Sequence, residues 1–117
     1  MTVSNTVRVF KFGGTSVGSA QTMRLVAQLV STEQAQGPLI VVASAMSTVT
    51  DHLVGANQAA RQGDFSTVDQ KLKAIRTLHH RAIEALGGDE VAADKKRSID
   101  DLLGQGEMLQ RQGKGYS

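Results

Sequence analysis

Two short apolar runs, Val7–Phe12 and Leu39–Ala43, flank a single helical stretch, and this arrangement restricts the fold more than any other feature of the chain. The first run is rich in β-branched and aromatic residues and stops at Gly13-Gly14, so it reads as a strand entering a tight loop, Gly13–Gly18. Ser19 can cap the following helix, in which Met23, Val26, Ala27 and Val30 share a face and which Gly37-Pro38 ends. Leu39–Ala43 is short and continuously apolar, the pattern of a strand buried on both faces of a parallel sheet. Strand, helix and strand make a βαβ unit. Such crossovers are right-handed, so both loops after the strands should open at one sheet edge, where α/β proteins hold ligands.

The remainder reads as helical. A helix is expected over Thr50–Gln62 with Thr50 as its cap. A longer one is expected over Phe65–Leu86, with Phe65, Val68, Leu72, Ile75, Leu78, Ala82 and Leu86 on one face and Gly87-Gly88 closing it. A last helix should begin at Ser98, with Asp101 completing a capping box and Ile99, Leu102, Leu103 and Met108 turned to the core. Lys95-Lys96-Arg97 reads as a solvated turn before it. Two strands are too few for a stable sheet, so the α/β fold is expected to be incomplete.

Composition narrows the function classes. A chain of 117 residues holds one compact domain at most, and without cysteine it has no disulfide, thiolate metal site or cysteine nucleophile. That suits a reducing, cytoplasmic location. The N-terminus lacks a charged-then-apolar signal pattern and the apolar runs are too short for a bilayer, so no membrane role is expected. A formal charge of +2, scattered basic residues, three Phe, one Tyr and no Trp argue against a nucleic-acid partner.

The segment Lys11-Phe12-Gly13-Gly14-Thr15-Ser16-Val17-Gly18 places a cation at the end of a strand, then glycines whose amides can face a ligand, two hydroxyls and a helix start. These are the parts of a phosphate cradle. The lysine precedes the glycines, so it is not a Walker loop, and the spacing is not G-x-G-x-x-G. Residue types alone leave open an ordinary turn with an exposed lysine. The second loop, Val42-Ala43-Ser44-Ala45-Met46-Ser47-Thr48-Val49-Thr50-Asp51-His52-Leu53, reads by itself as a capping loop. Glu107, beside Gly106, can approach a ligand amine or stand as a solvated helix glutamate. His79-His80 point about 100° apart on a helix, which argues against a shared ligand, and no metal site is expected.

K-F-G-G-T-S-V-G resembles the opening motif of aspartate kinases, members of the amino-acid kinase family. The resemblance runs to about Leu109 and implies the N-terminal part of a three-layer amino-acid kinase fold over residues 1–109. It assigns Lys11, Gly13, Gly14, Thr15 and Ser16 to ATP, with Mg2+ accompanying the nucleotide and Lys11 catalytic. It assigns Ser44 and Thr50 to the aspartate pocket and Glu107 to the α-amino group of L-aspartate. The implied reaction is phosphoryl transfer from MgATP to the β-carboxylate of L-aspartate, in a monofunctional kinase or one fused to homoserine dehydrogenase. Residues 110–117 depart from the family pattern as a polar tail, so a truncated or partial frame is expected. The alternative is an inactive fragment that binds phosphate or self-associates through an exposed sheet edge.

Overall fold

The computed structural model describes residues 5–87 and 89–112. Its elements are β1 (Arg8–Phe12), α1 (Ala20–Gln34), β2 (Leu39–Ala43), α2 (Val49–Arg61), α3 (Phe65–Leu86) and α4 (Asp89–Arg111). They fall into two units, Met1–Ser47 and Thr48–Ser117.

In the first unit β1 and β2 pair in parallel, Arg8 opposite Leu39 and Phe12 opposite Ala43, and α1 is the crossover. Strand alternation puts Arg8, Phe10 and Phe12 on one face of β1 and Val9 and Lys11 on the other. The first face meets α1: Arg8 Nη1 donates to Glu33 Oε2 at 2.8 Å, and the guanidinium lies 5.4 Å from the Phe10 ring centre. Ser19 caps α1 as its sequence predicts. Its Oγ accepts from Thr22 N at 3.2 Å, and Thr22 Oγ1 accepts from Ser19 N at 3.2 Å. Threonine thus fills the reciprocal role that glutamate or glutamine usually takes.

β2 corrects the expectation of a strand buried on both faces. Ile40, Val41 and Val42 are 51%, 44% and 44% exposed, α1 buries none of its residues, and Ala27 is exposed. A parallel strand is buried only when a layer lies on each side. Among the described residues the sheet has two strands, and the face carrying Val9, Lys11, Ile40 and Val42 stands open.

The second unit is built by packing α3 against α2 and α4. Buried Ala56, Ala59 and Ala60 of α2 and Val68, Leu72, Ile75 and Ala82 of α3 form its core. Small residues on α2 permit close approach, and a β-carbon on Gly55 would lie 3.1 Å from Lys71 Cε. Gly63, at φ 73°, makes the turn into α3. Asp64 caps α3, accepting from Thr67 N at 3.2 Å and from Thr67 Oγ1 at 2.6 Å. α3 spans Phe65–Leu86 as its periodicity predicts, although Leu86 is 43% exposed. Gly87 ends it, its N–H donating to Ile83 O at 2.9 Å, while Gly88 lies outside the described residues.

Two helix starts differ from expectation. α2 begins at Val49, so Thr48 is the N-cap and Thr50 is inside the first turn. Thr48 takes φ 74° and makes no side-chain cap bond, so the chain enters α2 through a left-handed residue. α4 begins at Asp89, not Ser98: Ser98 is mid-helix, its Oγ donating to Asp94 O at 3.3 Å, and no capping box with Asp101 forms. Asp89 and Glu90 in the first turn favour this start through the helix dipole, and Lys95–Arg97 are therefore helical. Ion pairs of Lys96 with Glu84 and of Arg76 with Asp100 at 3.2 Å tie α4 to α3, and His80 Nε2 lies in hydrogen-bond contact with Asp100 Oδ1 at 2.8 Å. Leu102 and Met108, expected in the core, are 65% and 57% exposed, whereas Ile99 and Leu103 are half-buried.

Candidate phosphate-binding site

Within the first unit, Lys11 is exposed near the end of β1, on the face away from Phe10 and Phe12. The chain then folds through successive turns, with Val17 N donating to Gly13 O and Gly18 N to Thr15 O, both at 3.3 Å. The second loop starts alongside, where Ser44 N donates to Phe12 O at 3.0 Å. The expectation that both loops open at one sheet edge holds.

The glycines divide the labour. A β-carbon on Gly14 would lie 3.3 Å from Ala45 O and 3.6 Å from Ser47 Cα, so the two loops touch backbone to backbone. One on Gly18 would stand 2.9 Å from Gly14 O and 3.4 Å from Ser47 Cβ. Around Gly13, by contrast, a β-carbon would find no described atom within 4 Å. Gly14 and Gly18 are thus small for internal packing, while Gly13 leaves open space beside Lys11. Thr15 and Ser16, with Phe12, Leu25 and Leu29, line a cavity of about 350 Å³ against α1. The loop thus turns its two hydroxyl residues toward α1, whereas Lys11 leaves the opposite sheet face.

Thr50 and Glu107 belong to the second unit. Thr50 is exposed in the first turn of α2. Glu107 is half-buried in α4 and is not a free solvated glutamate: its Oε1 accepts from Arg111 Nε at 3.0 Å. Arg111 Nη2 also donates to Asp69 Oδ1 at 2.6 Å, and its guanidinium lies 5.3 Å from the Phe65 ring centre. Hydrogen bonds to Glu107 and then Asp69 push the Arg111 pKa up. Glu107 lines a groove of about 640 Å³ along α3 with Lys73, Arg76, His80 and Arg81. Sequence reading missed Arg111 and Ser47. The spacing of four between Glu107 and Arg111 is a legible helix-pair signal, hidden because Arg111 lies in the segment read as tail.

His79 and His80 diverge as their adjacency predicts: His79 Nδ1 meets Ile75 O at 2.7 Å and His80 Nε2 meets Asp100 Oδ1 at 2.8 Å. Among the described residues no group of His, Asp and Glu could hold a metal ion, and no helix is long and apolar enough to cross a membrane. The tail read from Gln110 continues α4 to Arg111, and residues 113–117 lie outside the described residues.

A parallel βαβ unit that brings a lysine, a glycine pair and a second small-residue loop to the carboxyl edge of its strands defines an α/β protein. Residues 6–113 match the amino acid kinase family, and the chain belongs to that family. It is similar to aspartokinase 1, chloroplastic, of Arabidopsis thaliana, 39% identical over 83 residues that make up 69% of this chain and 14% of the relative. Similarity extends to bifunctional aspartokinase/homoserine dehydrogenase 1, chloroplastic, of the same plant, 34% identical over 101 residues, 86% of this chain and 11% of the relative. A bifunctional aspartokinase/homoserine dehydrogenase, chloroplastic, of Daucus carota is 35% identical over 102 residues, with the same coverage of 86% and 11%. The chain thus spans between 11% and 17% of the length of such relatives.

Proposed function

We propose that this chain carries the nucleotide loop and part of the acceptor pocket of an aspartate kinase, which transfers the γ-phosphoryl group of ATP to the β-carboxylate of L-aspartate. The product, aspartyl phosphate, opens the route to lysine, threonine and methionine. The observation that carries this reading is the backbone contact of Gly14 with Ala45 and Ser47, which joins the loop after β1 to the loop after β2 at one sheet edge.

Phosphoryl transfer requires alignment of donor and acceptor and stabilisation of charge on the moving group. In this reading Lys11 supplies the positive charge and the Gly13 and Gly14 amides hold the phosphates, while Thr15 and Ser16 contribute through the backbone of the loop, their side chains being turned toward α1. Ser44 and Thr50 contact the acceptor, and Glu107 takes its α-ammonium group. Magnesium arrives with the nucleotide and offsets phosphate charge. The acceptor carboxylate is already ionised near neutral pH, so no general base is needed.

The test is aspartate-dependent ADP formation with excess MgATP, run beside Lys11→Ala. Turnover abolished by the substitution supports the assignment, and turnover that survives it unchanged refutes the role of Lys11. The open sheet face, with Val9 at 62% and Ile40 at 51% exposure, favours a second reading: an inactive module that self-associates across its sheet. That reading expects binding of a hydrophobic dye and no turnover; a monomeric, dye-silent and active chain would exclude it.

A further inference from the structure

We infer that Arg111 is a displaceable counter-ion of Glu107, which competes with the α-ammonium group of an amino-acid substrate for that carboxylate and retires to Asp69 when the substrate binds. This rests on the reading of Glu107 as the ammonium-binding carboxylate.

Arg111 has more than one partner. Its Nη2 to Asp69 Oδ1 bond, at 2.6 Å, is shorter than its Nε to Glu107 Oε1 bond, at 3.0 Å, and Phe65 lies under the guanidinium. Release of Glu107 therefore leaves Arg111 with a charge-assisted hydrogen bond and a ring contact. The bond given up is a pair four residues apart on a helix, with side chains 42% and 33% exposed, the kind of pair whose net worth is small. An incoming ammonium group can replace it. Asp69, Arg111 and Glu107 together carry one net negative charge, so the cluster still attracts a cation. Lys73 and Arg81 line the same groove and offer a cationic setting for the carboxylates of the same ligand.

The two anchors make opposite predictions. Arg111→Met frees Glu107 and should tighten L-aspartate binding, whereas Asp69→Asn leaves Arg111 on Glu107 alone and should weaken it. Each change is expected to be roughly two- to five-fold, the scale of one exposed ion pair. A residue serving only to support the helix would not move the two variants in opposite directions. Calorimetric titration of L-aspartate into the whole chain, with Glu107→Gln alongside, decides the matter. Tighter binding in Arg111→Met with weaker binding in Asp69→Asn and Glu107→Gln supports the inference. If Glu107→Gln loses affinity but Arg111→Met is unchanged or weaker, the inference falls and the role of Glu107 stands. If Glu107→Gln binds as well as the parent, or no form binds aspartate, both fall.

Discussion

Gly18 sits so close to the Gly14 carbonyl that an added β-carbon would stand 2.9 Å from its oxygen. Real β-carbons do not approach this closely, and the obstacle is backbone, so Gly18→Ala must displace the loop. Gly13→Ala meets no described atom within 4 Å and should leave the loop intact. We expect Gly18→Ala to weaken MgATP binding by shifting the cradle. Gly13→Ala should weaken it only by crowding the ligand, with unchanged thermal stability. Equal losses of stability in the two variants would refute this division.

Thr48 is a β-branched residue at φ 74° whose side chain makes no capping bond. Such a conformation costs on the order of 1–3 kcal/mol in a β-branched residue, and asparagine tolerates it better. Thr48→Asn should therefore stabilise the chain by about 1 kcal/mol, read as a higher urea midpoint at unchanged slope. A fall in midpoint would show that the threonine is held for another reason.

Leu72 is 4% exposed in the core of the helical unit, and Leu102 is 65% exposed on α4. Leu72→Ala should cost about 2–5 kcal/mol through lost burial and the cavity left behind. Leu102→Ala should stay within about 0.5 kcal/mol. Urea denaturation of the pair tests the helix packing directly, and comparable losses would sink it.

Hydrogen bonds from the Thr67 side chain and backbone hold the Asp64 carboxyl below its ordinary pKa, and the hydrogen bond from Lys96 does the same for Glu84. A depressed carboxylate pKa means that the folded state binds fewer protons than the unfolded chain at acid pH. Their stabilisation is fully present above the unfolded pKa values, near pH 4, and is lost as pH falls through the lower folded values. Thermal midpoints measured downward from neutral pH should decline in this acid range. Asp64→Asn keeps a capping residue but removes the titration, so it should flatten the decline, and an unchanged acid limb would contradict the assignment.

The comparison of Thr50 with Ser19 shows where local reading succeeds. Ser19 caps α1 through a bond to Thr22, three residues away, and both partners are visible in the sequence. Thr50 looked like an equally good cap, but the chain enters α2 through the unusual φ of Thr48, which side-chain identity does not announce. Likewise Ser98 and Asp101 have the letters of a capping box, yet Asp89, Glu90 and the alanines after them already start a helix whose face packs on α3.

The order strand, glycine loop, helix, strand and the full extent of α3 were determined by the sequence itself, because alternation, helical period and glycine breaks act among neighbours in the chain. So was the meeting of the two loops at one edge, since strands joined by a helical crossover run parallel and end on the same side. Tertiary structure alone decided the exposure of β2, because burial depends on which layers arrive to cover a strand. It also decided the state of Glu107, whose partner Arg111 is itself held by Asp69, 42 residues away in the chain. Pairings across that distance are set by how helices pack, and no local pattern of residues encodes them.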